Sequence, residues 1–193
     1  MSTELSDVPE AWPVTATRHL YRADWVMALR EDEITAPGSP ERFSRWVLEH
    51  PGAVIVLAVD DDGRAFCLRQ YRHPARRRFV ELPAGLLDQE GEPPLEAARR
   101  ELREEARLEA KDWTLLGSTW SSPGISSEVM HLFLARGLRD VQDDDFEATH
   151  EEADMSTHWV PLTELLAAVL DGRLGDGPLV QTLLLAQAKG LLG

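Results

Sequence analysis

The chain has a single cysteine, only two tyrosines, and no apolar run longer than Ala53–Val59. Cys67, alone, excludes a disulfide framework within the chain, and its apolar strand context marks it as a core residue. A run of that length is far short of the roughly 20 residues that span a bilayer, so no membrane helix is expected. Basic residues are scarce as well: 20 Lys and Arg face 34 Asp and Glu, for a net charge of −14. Such a balance lacks the basic footprint of a nucleic-acid binder, so no nucleic-acid partner is expected. The opening MSTELSDVPE is acidic where a secretory signal is basic and then apolar, which predicts a cytoplasmic protein. Internal repeats and low-complexity tracts are absent.

What is present is ordinary for a globular protein: 193 residues, 43% apolar and 28% charged, enough for one sizeable core. The pattern from Thr15 to Ile34 favours extended structure, and Pro37–Pro40 is a turn. Ala53–Val59 reads as a strand, and Asp60–Gly63 as a hairpin turn onto a strand Arg64–Tyr71. A helix follows Pro93-Pro94, with strands at Trp113–Trp120, Val129–Ala135 and His158–Val160. Thr163 is placed to cap the next helix, Gly172–Gly177 breaks it, and Leu179–Leu192 forms the last. Strands interleaved with one central helix and closing helices predict an α/β sandwich. We divide it into an N-terminal β extension, 1–50, and a main domain, 51–193.

The helix after Pro94 carries Glu101, Glu104 and Glu105 beside Arg100. At about 100° per residue, Glu101 and Glu105 lie only about 40° apart around the axis, with Glu104 next to them. Three carboxylates so placed repel one another unless cations draw them together, and oxygen ligands of this kind suit Mg²⁺ or Mn²⁺. A solvated helix laced with i,i+4 ion pairs gives a similar pattern, and context separates the two readings. Glu81-Leu82-Pro83-Ala84-Gly85 leads into the segment as a tight, Pro- and Gly-punctuated loop, and Glu92 stands eight residues before Arg100. Elsewhere positive charge is concentrated at Arg69, Arg72, Arg76, Arg77 and Arg78, where it would focus potential for an anionic ligand.

Gly85, Glu92 and Arg100-Glu101-Leu102-Arg103-Glu104-Glu105 resemble the Nudix box, the signature of hydrolases that cleave a nucleoside diphosphate linked to another group. Two positions depart from it: six residues, in place of five, separate Gly85 from Glu92, and Arg107 stands where the box has a helix-ending glycine. A helix that ends there demands a left-handed residue, which costs a side-chain-bearing one about 1–2 kcal/mol. We expect that strain at Arg107, and no continuation of the helix to Glu109.

Beyond the box, Arg69–His73, Glu81–Gly85, Ser122-Pro123-Gly124 and His150–Met155 resemble the ADP-ribose pyrophosphatase branch, including a proline, Pro123, sixteen residues past Arg107. The resemblance implies a Nudix-type α/β/α sandwich of mixed sheet and metal-dependent hydrolysis of ADP-ribose to AMP and ribose 5-phosphate. It implies metal ligands at Glu101, Glu104, Glu105 and the Ala84 carbonyl, with Arg100 orienting the glutamates. The water-activating base is expected in the acidic loop, at Glu151 or Glu152; Ala153 replaces one of the acids that relatives carry there. Arg45, Arg72, Pro123 and Glu128 become substrate-binding candidates, with Trp25 or Trp46 for the adenine. N-terminal strands so placed imply a homodimer. Two other readings stay open: a Nudix hydrolase for another nucleoside diphosphate derivative, and a non-catalytic ADP-ribose sensor.

Overall fold

The computed structural model describes residues 5–22, 26–141 and 155–192. Ten strands and three helices run in the order β1 (Val14–Arg22), β2 (Ala28–Thr35), β3 (Arg42–Glu49), β4 (Ala53–Ala58), β5 (Arg64–Arg72), β6 (Arg77–Glu81), β7 (Ala84–Leu86), α1 (Pro94–Ala106), β8 (Leu108–Trp120), β9 (Val129–Asp140), β10 (Ser156–Pro161), α2 (Leu162–Leu170) and α3 (Gly177–Ala188). They fall into two units: residues up to His50 together with Ser122–Ser127, and Pro51–Ser121 together with Glu128 onward. No described helix is long and apolar enough to cross a membrane.

The first unit is an antiparallel sheet in the order β1-β2-β3. Its faces are knitted by charge more than by apolar burial. Arg30 reaches both Asp32, at 3.0 Å, and Glu49, at 2.7 Å, while Thr17 donates to Asp32 at 2.8 Å. Apart from Leu20, every residue of β1 is exposed. Segment 122–127 joins this unit through Leu48, whose N–H donates to the Ile125 carbonyl at 2.7 Å and whose carbonyl accepts from Ser127 at 3.1 Å. No local pattern in the sequence announces that pairing.

The second unit holds the core. β7-β4-β9-β8 form a mixed sheet in which β4 and β9 run parallel, and β10-β5-β6 form an antiparallel one. Alternation along buried strands sends their side chains to two opposite faces. Val54, Val56, Ala58, Phe66, Leu68, Phe133 and Ala135 pack with Ala97, Ala98 and Leu102 of α1. Ile55, Leu57, Val59, Ala65, Cys67, Leu132 and Leu134 pack instead with Leu165 of α2 and Leu179, Leu183 and Ala186 of α3. Helices therefore cover both faces, which is the expected α/β/α sandwich, and Cys67 is buried in it as expected.

Three local expectations are corrected. The Asp60–Gly63 turn forms, with Gly63 N–H on the Asp60 carbonyl at 3.1 Å, but it does not close a hairpin. β4 and β5 touch through the bridge Val59↔Ala65 and then part into different sheets, since both edges of β4 pair with β7 and β9 and both edges of β5 with β6 and β10. Thr163 caps nothing: α2 starts at Leu162 behind Pro161, without a side-chain cap. The side-chain cap is at α3, where Asp176 accepts from the Leu179 N–H at 2.9 Å. The Glu81–Gly85 entry, read as a loop, ends in a short strand, Ala84–Leu86, antiparallel to β4.

The box helix ends at Ala106, and Arg107 adopts φ 56°, ψ 36°, with its N–H on the Arg103 and Leu102 carbonyls. β8 starts at once, at Leu108, which is buried; a helix running on would carry that leucine out of the core. Glycine enters the left-handed region without a Cβ clash, so Arg107→Gly is expected to raise stability by about 1 kcal/mol. Urea unfolding should give a higher midpoint at unchanged slope; a lower midpoint would mean that the arginine side chain is worth more than the strain it brings.

Candidate active site

The segment Glu81–Gly85 runs from β6 to β7 through Leu82 and Pro83, both buried, and Val56 N–H fixes the Pro83 carbonyl at 2.8 Å. β7 then pairs with β4 at Val54↔Gly85 and Ile55↔Ala84. α1 lies against this strand with a buried stripe of Ala97, Ala98, Glu101, Leu102 and Ala106. A carboxylate thus occupies a position in an apolar stripe. Space for it comes from Gly85: a Cβ built there would lie 1.9 Å from Glu101 Cδ. Burial pushes the Glu101 carboxyl up to about 7, against the pull of the neighbouring Arg100. Because that value is raised, ionised Glu101 is tolerated at a cost to folding, a cost absent at acid pH and complete above about 7.

Arg100 answers the resulting charge. Its Nε and Nη2 donate to the two oxygens of Glu92 at 3.2 and 3.1 Å, and its Nη1 donates to Glu101 at 2.6 Å and to Glu104 at 3.2 Å. Nη2 also reaches the Leu86 carbonyl at 3.4 Å, and Asp88 lies 3.9 Å away. These bonds, the Glu92 pair foremost, raise the arginine's own pKa, so it stays charged at any working pH. Glu105 turns the other way and accepts from the Ala84 N–H at 2.9 Å. The carboxylates accept from Arg100 and the Ala84 N–H, and among the described residues no three His, Cys, Asp or Glu side chains stand in a metal-holding arrangement. The donor chemistry fits a hard cation nonetheless. Carboxylate oxygens of Glu101, Glu104 and Glu105 and the carbonyl of Ala84 are the ligand types such ions take, and the cluster carries the charge one would neutralise.

A second polar group shares the same segment. Glu81 is 5% exposed, and Arg72 grips it with Nε at 2.9 and 3.2 Å and Nη2 at 2.6 Å. Gln70, 4% exposed, donates to the same carboxylate at 2.9 Å. The alternation of β5 puts Leu68, Gln70 and Arg72 on one face, and Leu68 pairs with Glu81 across the ladder, which is why the three polar groups meet.

A NUDIX domain model matches residues 49–183. The chain belongs to the Nudix family. It is 47% identical over 149 residues to an ADP-ribose pyrophosphatase of Mycobacterium tuberculosis, covering 77% of this chain and 70% of that one. An ADP-ribose pyrophosphatase of Bacillus subtilis is 38% identical over 138 residues, 66% of this chain and 74% of the other. A GDP-mannose pyrophosphatase of Yersinia enterocolitica is 32% identical over 147 residues, 73% of this chain and 75% of its own. Among solved structures, an ADP compounds hydrolase superposes with a TM-score of 0.75 at 20% identity, over 96% of this chain and all of the other, which shows the shared fold.

Within this Nudix pyrophosphatase the expected site residues are distributed unevenly. The second unit contains Ala84, Arg100, Glu101, Glu104 and Glu105 around one strand-helix junction, as well as Arg72 and Glu128; the Ser121 hydroxyl donates to the Glu128 carboxylate. Arg45 and Pro123 belong to the first unit, where the Arg45 guanidinium stacks 4.5 Å over the Phe43 ring. Trp46 is exposed on β3. Glu151, Glu152 and Trp25 lie outside the described residues. Two groups had no role assigned from sequence, Glu81 with Gln70 and Asp176; for Gln70 the signal was a polar residue in the apolar β5, and for Asp176 it was an Asp three residues before Leu179, where it caps α3. Nudix hydrolases use divalent cations, so misplacing one carboxylate should be costly. Gly85→Ala is expected to push the Glu101 carboxylate aside and cut turnover about 100-fold, as an ångström of misplacement can, with the fold intact by circular dichroism. Wild-type turnover in a folded variant would mean that Glu101 does not need its present position.

Proposed function

We propose that this Nudix pyrophosphatase hydrolyses ADP-ribose to AMP and ribose 5-phosphate with the help of Mg²⁺ or Mn²⁺, acting in the cytoplasm. The observation that carries the reading is the Glu101, Glu104, Glu105 and Ala84 cluster, ordered by Arg100, in a chain 47% identical to one relative named for this activity. Water adds to one phosphorus of the diphosphate, the bridging oxygen leaves with the other phosphate, and the water's protons pass to solvent through a base. Divalent cations bound at the cluster would neutralise the diphosphate and stabilise charge on the attacking and leaving oxygens. Arg100 keeps the glutamates from splaying apart, and Glu105, already fixed to the strand by Ala84, presents its oxygens beside it. Arg72, a planar fork on a rigid strand, suits a phosphate of the substrate. Glu151 is our first choice for the base and Glu152 the second. Arg45, Pro123 and Glu128 are assigned to substrate binding.

A sensor that binds without cleaving does not need three intact glutamates. We also propose a homodimer built through the first unit, whose three-stranded sheet leaves Val14, Tyr21 and Trp46 exposed. No nucleic acid enters the scheme, because the net charge of −14 opposes one.

The test is a hydrolysis screen of ADP-ribose, GDP-mannose and other nucleoside diphosphate derivatives with Mg²⁺ or Mn²⁺, products separated by chromatography. ADP-ribose should be the best substrate and yield AMP. Glu105→Gln, which keeps shape and removes charge, should lower turnover by orders of magnitude without unfolding the protein. Preference for GDP-mannose would shift the substrate, and near-wild-type turnover of Glu105→Gln at saturating Mg²⁺ would remove that residue from the cation site.

A further inference from the structure

We infer that Glu81 is a positioning residue for substrate binding: with Gln70 it clamps Arg72 so that the guanidinium faces the diphosphate from a fixed point on the segment that presents Ala84. The substrate named in this inference rests on the proposed function; the clamp itself does not.

Three observations support it. First, Glu81 is a buried carboxylate with both oxygens occupied, Oε2 by Arg72 Nε at 3.2 Å, Arg72 Nη2 at 2.6 Å and Gln70 Nε2 at 2.9 Å, and Oε1 by Arg72 Nε at 2.9 Å. A buried charge is costly unless so matched, and the match fixes the arginine as firmly as the arginine fixes it. Second, the grip uses only one edge of the guanidinium. Nη1 has no partner among the described residues, and the Arg72 side chain is 51% exposed against 6% for that of Glu81. One edge is held inside and the other is offered outward, which is the geometry of an anion fork on a buried stem. Third, Glu81 is linked to Ala84 by the two buried residues Leu82 and Pro83, and Ala84 is bonded to Glu105. The fork and the glutamate cluster therefore share one short rigid reference.

Other carboxylates near Arg72 do not replace Glu81. The charges of Glu105 and Asp176 reach the guanidinium. Glu105, however, accepts from Ala84, and Asp176 is committed to the Leu179 N–H at the start of α3. A buried ion pair that only stabilises the fold is the competing account, and it makes a different prediction. In that case losing the pair lowers stability and leaves substrate affinity alone.

The experiment is a double-mutant cycle on Glu81→Gln and Arg72→Ala, read as KM and kcat for ADP-ribose and as ADP binding by calorimetry. Glu81→Gln is expected to raise KM and the ADP dissociation constant about tenfold with kcat within about twofold, the mark of a lost binding contact. In the Arg72→Ala background it should add almost nothing, since residues acting through one another are not additive. Gln70→Met, which leaves the ion pair in place and removes only its tether, should give a smaller rise, about threefold in KM; it serves as the readout if Glu81→Gln fails to fold. Unchanged KM and ADP affinity in a folded Glu81→Gln or Gln70→Met, effects that multiply in the double variant, or a wild type that does not bind ADP would each overturn the clamp. Failure of the wild type to hydrolyse ADP-ribose while it still binds ADP through Arg72 would overturn the substrate and leave the clamp supported.

Discussion

One guanidinium holds the acidic face of α1 together. Glu92, Glu101 and Glu104 all lie on Arg100 within 3.2 Å, and without it their repulsion would act on a helix that must stay packed. The consequences spread outward. Glu101 can occupy the apolar stripe only because Arg100 shares its charge and Gly85 leaves room for its carboxylate. Ala84 can bond to Glu105 only because the helix stands this close to β7. Arg100 is itself partly buried, which keeps solvent from screening these pairs as it screens the surface pairs of the first unit.

The distance between helix and strand is set by packing. Val54, Val56 and Ala58 of β4 meet Ala97, Ala98 and Leu102, and small alanines let the helix approach the sheet closely. On the opposite face α3 closes the core with Leu179 and Leu183. β4, buried on both sides, fixes β7 by its hydrogen bonds, and through β7 the segment that carries Glu81 and Ala84. The glutamate cluster on the helix and the Arg72–Glu81 pair on the sheet are thus referenced to one strand.

How much of this was legible follows from the range of each interaction. Helical spacing alone put Glu101 and Glu105 on one side of α1, and the departure from glycine at Arg107 foretold a left-handed residue, observed at φ 56°. The apolar run at Ala53 marked the central strand. Longer-range features were not legible. Divergence of β4 and β5 after a good turn depends on which sheets bury them, and the pairing of Leu48 with segment 122–127 joins residues about 77 apart. Thr163 had the right chemistry for a cap, yet Asp176 has that role at the next helix. Arg100 on the glutamates is what the family resemblance implied, whereas helical spacing gives no sign that Glu105 takes the Ala84 N–H, a donor set by the surrounding fold.

We propose that the carboxylates gathered beside Gly85 are a divalent-cation site. A ligand that binds only the native state raises the unfolding midpoint with its concentration. Thermal unfolding should therefore be followed as Mn²⁺ or Mg²⁺ is titrated into the wild type and into a Glu101→Gln/Glu105→Gln double variant. On this proposal the midpoint climbs with cation in the wild type and stays flat in the variant. An equal climb in both would place the cations elsewhere on this acidic chain and contradict it.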